Sequence, residues 1–221
     1  MVKNVQYDLY DVVDFLFPPH CPLCGAYVDT LGAWCQTCLD QTIQVHTLPL
    51  PILMQNDIRM VRAVGRYRGG MKKFIQVLKY QKKLAMLPAI HTLLAVALPK
   101  AEFVGFDYVI PVPLHREKLK ARGFNQAEKI FHPWTDDCQL LWLDALIRCR
   151  NTKPQYKMTV AERKINMRAA FSVHEGLNLC GKKVLLVDDI FTTGVTMQEC
   201  AKVLKKAGAK SVCGLTLASD A

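Results

Sequence analysis

The stretch Lys183-Val184-Leu185-Leu186-Val187-Asp188-Asp189-Ile190-Phe191-Thr192-Thr193-Gly194-Val195-Thr196 leaves this chain few folds to choose from. Its apolar run, Val184 to Val187, is too short for a helix. Gly181 bounds it behind, and two carboxylates, Asp188 and Asp189, stop it in front. Such a run reads as a strand buried on both faces, and hence as part of a parallel sheet. Met197, Cys200, Ala201, Leu204 and Ala207 then recur at helical spacing, and Gly208 closes the pattern. The unit is therefore strand, turn, helix, with a hydroxyl-rich turn at the helix N-terminus. Unsatisfied N–H groups and the positive end of the helix dipole make that end an anion site. Gly194 lets a phosphate approach the backbone, and Thr192, Thr193 and Thr196 add hydroxyl donors. Carboxylates accept hydrogen bonds from sugar hydroxyls and repel phosphate. The acidic pair, at the carboxyl end of its strand, is expected to face a ribose while the turn holds the phosphate.

Other chemistries fit less well. A Walker phosphate loop needs Lys and Ser or Thr after its glycine-rich turn, and no Lys directly follows Gly194. A receiver domain also ends a strand in paired Asp, but that strand opens the domain, whereas 32 residues follow Asp189 here. An ordinary βα unit with a polar turn stays open as the plainer reading, since turns favour such residues in any case.

The 221 residues have room for one α/β domain and a small module, and 51% hydrophobic residues suffice for a real core. No basic stretch followed by an apolar one stands at the N-terminus, so no secretory leader is expected. The most apolar segment, Leu84 to Leu98, is 15 residues long and contains Pro88, His91 and Thr92. That suits a core helix and is too short to cross a bilayer. A cytoplasmic protein without a membrane span is the expectation, and the nine Cys are not read as disulfides. The net charge of +10 is uneven. Residues 1–58 hold one Lys against six Asp (−5), residues 59–133 hold 15 Lys and Arg against four acidic residues (+11), and the remainder hold 13 against nine (+4). A basic middle third points to anionic partners, polyphosphate or nucleic acid, although a solvated basic face alone would look the same.

Cys21-Pro22-Leu23-Cys24 and Cys35-Gln36-Thr37-Cys38 form two knuckles ten residues apart. Folded together, Cys21, Cys24, Cys35 and Cys38 can surround one Zn²⁺ tetrahedrally, with no open position. Such a zinc is structural and replaces a core that a module of about residues 18–45 is too small to build. His20 and His46 are read as bystanders. Residues 43–57, with Pro49 and Pro51, read as a linker, so the chain divides into 1–58 and 59–221. Met60 to Tyr67 reads as the first strand of the main domain. Met71, Phe74, Ile75 and Leu78 mark a helix carrying Lys72, Lys73, Lys79, Lys82 and Lys83. A second helix covers about 84–98. Phe106 to His115 reads as a strand running into a loop, because Pro111 and Pro113 bar it from continuing as a central strand.

With these pieces in place, the stretch at 183–196 resembles the PRPP-binding loop of type I phosphoribosyltransferases (PRPP is 5-phosphoribosyl 1-diphosphate). The resemblance widens to Tyr67-Arg68-Gly69, Leu78-Lys79-Tyr80, Pro111-Val112-Pro113-Leu114-His115, Arg122-Gly123-Phe124-Asn125-Gln126 and Arg150-Asn151-Thr152-Lys153-Pro154-Gln155 with Glu162-Arg163. Together these are similar to the ComF/ComFC/GntX family, which joins a four-cysteine zinc finger to a phosphoribosyltransferase-type domain. The resemblance implies an α/β fold with a type I phosphoribosyltransferase-like parallel sheet. It implies PRPP binding by Asp188, Asp189, Thr192, Thr193, Gly194, Val195 and Thr196. Pro111, Val112, Pro113 and Leu114 would form the diphosphate loop, and Thr152 to Asn166 a mobile loop from which Arg163 faces the diphosphate. Asp188, Asp189 and Arg163 are then the candidate catalytic residues, with Mg²⁺ arriving on PRPP. One departure stands out: the family's longer apolar helix after Gln126 is expected to be cut here by Pro133. The resemblance also implies a place in DNA uptake during natural transformation, with single-stranded DNA and other competence proteins as partners. Two functions follow. One is phosphoribosyl transfer from Mg²⁺–PRPP to an unidentified acceptor. The other is a non-catalytic, single-stranded-DNA-binding competence factor whose PRPP site is regulatory, with Tyr67, Phe74, Tyr80 and Phe124 available for base stacking.

Overall fold

The computed structural model describes residues 18–81, 84–150 and 159–220. In chain order the strands are β1 (His46–Thr47), β2 (Val61–Arg66), β3 (Tyr108–Pro111), β4 (Leu146–Arg148), β5 (Phe171–Val173), β6 (Lys183–Phe191) and β7 (Ser211–Ser219). The α-helices are α1 (Gln36–Thr42), α2 (Ile52–Gln55), α3 (Gly69–Gln76), α4 (Leu87–Ala97), α5 (Arg116–Arg122), α6 (Gln126–Asp137), α7 (Val160–Met167) and α8 (Val195–Lys206). The main sheet runs β1-β2-β7-β6-β3. β2, β7, β6 and β3 are mutually parallel, and β1 alone is antiparallel. β4 and β5 form a separate antiparallel pair.

This is the parallel-sheet α/β architecture the sequence implies, with differences that matter. β6 does not stop at its carboxylates. It continues to Phe191 because β7 pairs alongside it throughout, Asp188 opposite Thr216 and Phe191 opposite Ser219. The stretch 43–57 holds β1 and α2, and Met54 and Ile58 within and after it are buried. β3 ends at Pro111 and lies at the sheet edge, where a missing N–H is tolerated. Its outer side is met by the chain at 141–143: Val109 N–H donates to Leu141 O at 2.8 Å, and Leu143 N–H donates to Val109 O at 2.9 Å.

Pro133 does not cut its helix, which runs unbroken through it from Gln126 to Asp137. A proline there removes the N–H that would have bonded the carbonyl of Lys129. His91 on α4 supplies the replacement, its Nε2 donating to Lys129 O at 2.9 Å. The helix is further anchored by buried Trp134, whose Nε1 donates to Leu98 O at 3.3 Å and whose ring meets Phe103 edge-on.

Two apolar layers sandwich the sheet. On one side α3, α4 and α6 pack Phe74, Leu78, Leu94 and Phe131 against Leu185 and Val187 of β6. On the other, α8 and the β4–β5 pair pack Cys200, Leu204 and Phe171 against Val184 and Leu186. The cysteine module belongs to the first layer. Trp34 donates to Ala89 O at 2.7 Å and meets Phe74 edge-on at 5.1 Å. Among the described residues no helix is long and apolar enough to cross a membrane.

Candidate phosphoribosyl site and cysteine cluster

Strand alternation decides what β6 offers at its carboxyl end. Val184 and Leu186 face α8, and Leu185 and Val187 face α3. Asp188 therefore continues the α8 face and Asp189 the opposite one. The expected acidic pair is adjacent in sequence and divided in space. Asp188 is half-buried and lines a shallow depression with Phe191, Thr192, Thr193, Gly194, Val195 and Thr196. Asp189 is buried and does not line it. Both of its oxygens are held by Lys79 Nζ, at 2.9 and 2.8 Å. The Asp189 N–H donates to Asp188 Oδ1 at 2.8 Å.

The charges around the pair are unequal. Burial, reinforced by the Asp189 charge, pushes the Asp188 carboxyl up to about 7, against the opposing pull of Lys79 and Arg148. Burial alone would lower the Lys79 ammonium. The Asp189 and Asp188 charges outweigh it and hold the group above its ordinary value, while Arg122 opposes them. Arg148 on β4 and Lys118 on α5 are both depressed, first by burial, and Lys118 also by the charges of Arg148 and Arg122. Lys79, Lys118, Arg122 and Arg148 thus bring four cations into electrostatic reach of the site.

The turn after β6 is built as the sequence suggests, with α8 starting at Val195 and Gly194 at φ 73°. The glycine's room is used differently, however. A Cβ at 194 would lie 2.5 Å from Phe191 Cζ and 2.7 Å from Met54 Cε, so the space next to Gly194 is taken by the protein's own core rather than kept for a phosphate. The Pro111–Leu114 loop does stand beside the acidic pair. Pro111 pairs with Val187, Val112 N–H donates to Val187 O at 2.9 Å, and Asn125 Nδ2 ties Val112 O to the start of α6 at 3.1 Å. Arg163 has its backbone in α7, which packs on α8; residues 151–158 of the expected mobile loop lie outside the described residues.

Two expectations for nucleic acid change. Phe74 and Phe124 are buried in the core and unavailable for stacking on bases. Tyr67 is half-buried, with Lys72 Nζ 5.9 Å from its ring centre. Lys72 and Lys73 are exposed, and Lys82 and Lys83 lie outside the described residues.

Cys21, Cys24, Cys35 and Cys38 converge, their sulfurs within 4.8 Å of one another and Cys24 Sγ 3.7 Å from Cys35 Sγ. A tetrahedron of Zn–S bonds of about 2.3 Å has edges of about 3.8 Å, so the four thiols fit zinc. Burial resists ionisation of Cys21, yet N–H groups of Cys24, Cys35 and Leu23 hold its thiol below the usual value. Burial and the neighbouring thiols push Cys38 up. Such a cluster favours a bound cation over four free thiolates. Among the described residues it is the one group of three or more possible ligands, so those residues form no comparable cage for Mg²⁺.

Sequence reasoning counted Lys79 among the basic residues of one helix and in the Leu78-Lys79-Tyr80 match, and passed over Arg148. Lys79 had a signal: it lies four residues after the fully buried Ile75, and so on the apolar side. Arg148 had none.

Residues 145–220 match the phosphoribosyl transferase domain family, and residues 12–49 the double zinc ribbon domain. Competence protein F of Haemophilus influenzae is 26% identical over 200 residues, covering 88% of this chain and 82% of its own. DNA utilization protein YhgH of Escherichia coli K12 is 29% identical over 199 residues, covering 87% and 86%. The chain is a homologue of these competence and DNA utilization proteins. Competence protein ComFC of Streptococcus pneumoniae adds 26% identity over 194 residues, covering 87% and 84%. A solved structure described as the allosteric regulatory enzyme of purine biosynthesis aligns with 57% of this chain and 24% of its own, at 23% identity and a TM-score of 0.35. The two matched regions of this chain fall on the two features described above. The ribbon match covers the cysteine cluster, and the transferase match runs from β4 to β7 and includes Asp188 and the Gly194 turn.

Proposed function

We propose that this protein binds PRPP at the carboxyl end of β6 and transfers its phosphoribosyl group to an acceptor during DNA uptake in the cytoplasm. The observation that carries this reading is Asp188 set over the Thr192–Thr196 turn, beside the Pro111–Leu114 loop, within the residues that match the phosphoribosyl transferase domain. The turn holds the 5-phosphate through N–H groups at the start of α8 and threonine hydroxyls. Asp188 accepts from a ribose hydroxyl, and Asp189 reaches the ribose only past Lys79. The diphosphate lies towards Pro111, Val112, Pro113 and Leu114, where Arg122 and Lys118 on α5 offset its charge, and Arg163 of the expected mobile loop is a further candidate cation. When bound with the ligand, Mg²⁺ would supply charge to offset the leaving diphosphate. In the reaction the acceptor forms a bond to ribose C1, the C1–O bond to diphosphate breaks, and the acceptor gives up a proton. The protein's share is positioning and charge. The competence and DNA utilization names of the homologues support the setting.

Exposed Lys72 and Lys73 favour a second reading, a single-stranded-DNA-binding competence factor whose PRPP site is regulatory. Calorimetry and product analysis separate the two. PRPP with Mg²⁺ should bind more tightly than free diphosphate, and diphosphate should be released when an acceptor, single-stranded DNA included, is supplied. Tight PRPP binding without turnover on any acceptor favours the regulatory reading. PRPP binding no tighter than that of diphosphate sinks both.

A further inference from the structure

The two carboxylates of β6 are treated differently by the fold, and the difference traces to one lysine. α3 does not end as an ordinary helix. Its last turn widens into a π-helical segment, Val77–Gln81, with Leu78 fully buried as its anchor. Such widened turns are frequent at functional sites. This one directs Lys79 inward. Its side chain is 18% exposed and its ammonium group holds both oxygens of Asp189. Lys72 and Lys73, earlier on the same helix, are exposed. An ion pair as enclosed as that of Lys79 is costly to assemble, and leaving either partner alone is costlier still. It is therefore a fixed feature of the site.

We propose that Lys79 is the positioning residue of the acidic pair: it ties the Asp189 carboxylate to the α3 side of the sheet and leaves Asp188 as the one acidic group presented to the depression above the Thr192–Thr196 turn. The two aspartates are then unequal partners for a ribose. Asp188 offers its remaining lone pairs, and Asp189 acts through the backbone, its N–H donating to Asp188 Oδ1 and orienting that carboxylate. The groups bearing on Asp188 come from every side of the site. They are Asp189 on its own strand, Lys79 on the π-helical turn, Arg148 on β4 and the Cys200 thiol on α8, with Arg122 on α5 acting on Lys79. Of the cations, Lys79 bonds Asp189 directly. Its consequence for ligand binding rests on the PRPP reading given above; the arrangement of the pair does not.

The experiment follows the Asp188 carboxyl carbon by NMR across the neutral range in the wild type, Lys79→Arg and Lys79→Met, with calorimetry of PRPP and Mg²⁺ on the same samples. Methionine keeps the apolar stem and removes the charge. Lys79→Met should move the Asp188 transition by about one pH unit or more, whereas Lys79→Arg should leave it near the wild-type position. PRPP affinity of the methionine variant should fall about tenfold or more at neutral pH, whereas Lys79→Arg should keep most of it. A folded Lys79→Met protein whose Asp188 titrates as in the wild type overturns the inference. If the transition moves but even the wild type fails to bind PRPP, the positioning role stands and the PRPP reading falls. Should the methionine variant not fold, the wild-type Lys79 ammonium protons decide. Slow exchange with water supports the closed ion pair, and fast exchange overturns it.

Discussion

Asp188→Asn should make this protein more stable at alkaline pH while weakening its ligand site. Asparagine keeps the shape of the side chain and an oxygen to accept the Asp189 N–H, which donates at 2.8 Å. It removes the charge. In the folded protein, burial and the Asp189 charge push the Asp188 carboxyl from 3.8 to about 7. The folded state therefore binds more protons than the unfolded chain between those values, and stability falls as pH rises through that window. Above about 7 the full penalty of the ionised Asp188 carboxylate is in force. A tenfold change in proton affinity is worth about 1.4 kcal/mol, so the rise from 3.8 to about 7 caps the effect at roughly 4 kcal/mol. Sharing of the proton with its neighbours leaves roughly 2–4 kcal/mol as the expected gain of the variant at alkaline pH. Near the lower end of the window both proteins carry a neutral group, and the difference should vanish. Urea unfolding of the two proteins in parallel over this range is the assay. Titrations that do not feel the Asp188 charge, those of the cysteine cluster included, are common to both and cancel in the difference, while Cys200 and Lys79, which do feel it, are part of the measured effect. A difference that stays constant with pH, or that grows towards acid, would refute the assignment of the penalty to Asp188. PRPP affinity should move the opposite way, with at least about tenfold lost for a hydrogen bond to a charged acceptor.

Gly194→Ala should lower stability by about 2–5 kcal/mol in thermal melts. The left-handed φ costs about 1–2, and the new Cβ, 2.5 Å from Phe191 Cζ and 2.7 Å from Met54 Cε, adds about 1–3. Adding Met54→Ala should return only part of this. Metal analysis should find about one zinc per chain, lost in Cys38→Ser. Because Trp34 meets Phe74 and Ala89, hydrogen exchange in that variant should also quicken in α3 and α4. Lys72→Glu with Lys73→Glu should weaken single-stranded DNA binding and flatten its salt dependence without lowering the melting temperature. DNA binding unchanged by the reversals would mark these residues as a solvated face.

How much of this could be read from the sequence depended on whether the cause was local. The cysteine spacing carried its own geometry, and four sulfurs within 4.8 Å are what two knuckles ten residues apart can make. The strand, turn and helix at 183–206 were also legible, because apolar run, glycine and helical period are properties of neighbouring residues. β6 was read short because the cue for its end was chemical: carboxylates look like a stop. What carries the strand past them is the ladder of β7, which follows it in sequence and pairs out to Ser219. The same omission joined the two aspartates into one binding feature, whereas alternation along the longer strand separates them. Lys79 was legible in part, since its place four residues after Ile75 put a charge on an apolar face. Its partner, 110 residues away, was not. Pro133 is the sharpest case. Proline breaks a helix by leaving a carbonyl without a donor, and that cost is real wherever nothing replaces the donor. Here His91 replaces it from a different helix. A residue's local preference thus sets the cost of a conformation, and a side chain from elsewhere in the chain decides whether that cost is met. His91→Ala should accordingly weaken α6 at Pro133 and at no other point, because the Lys129 carbonyl is the only one the proline leaves unserved.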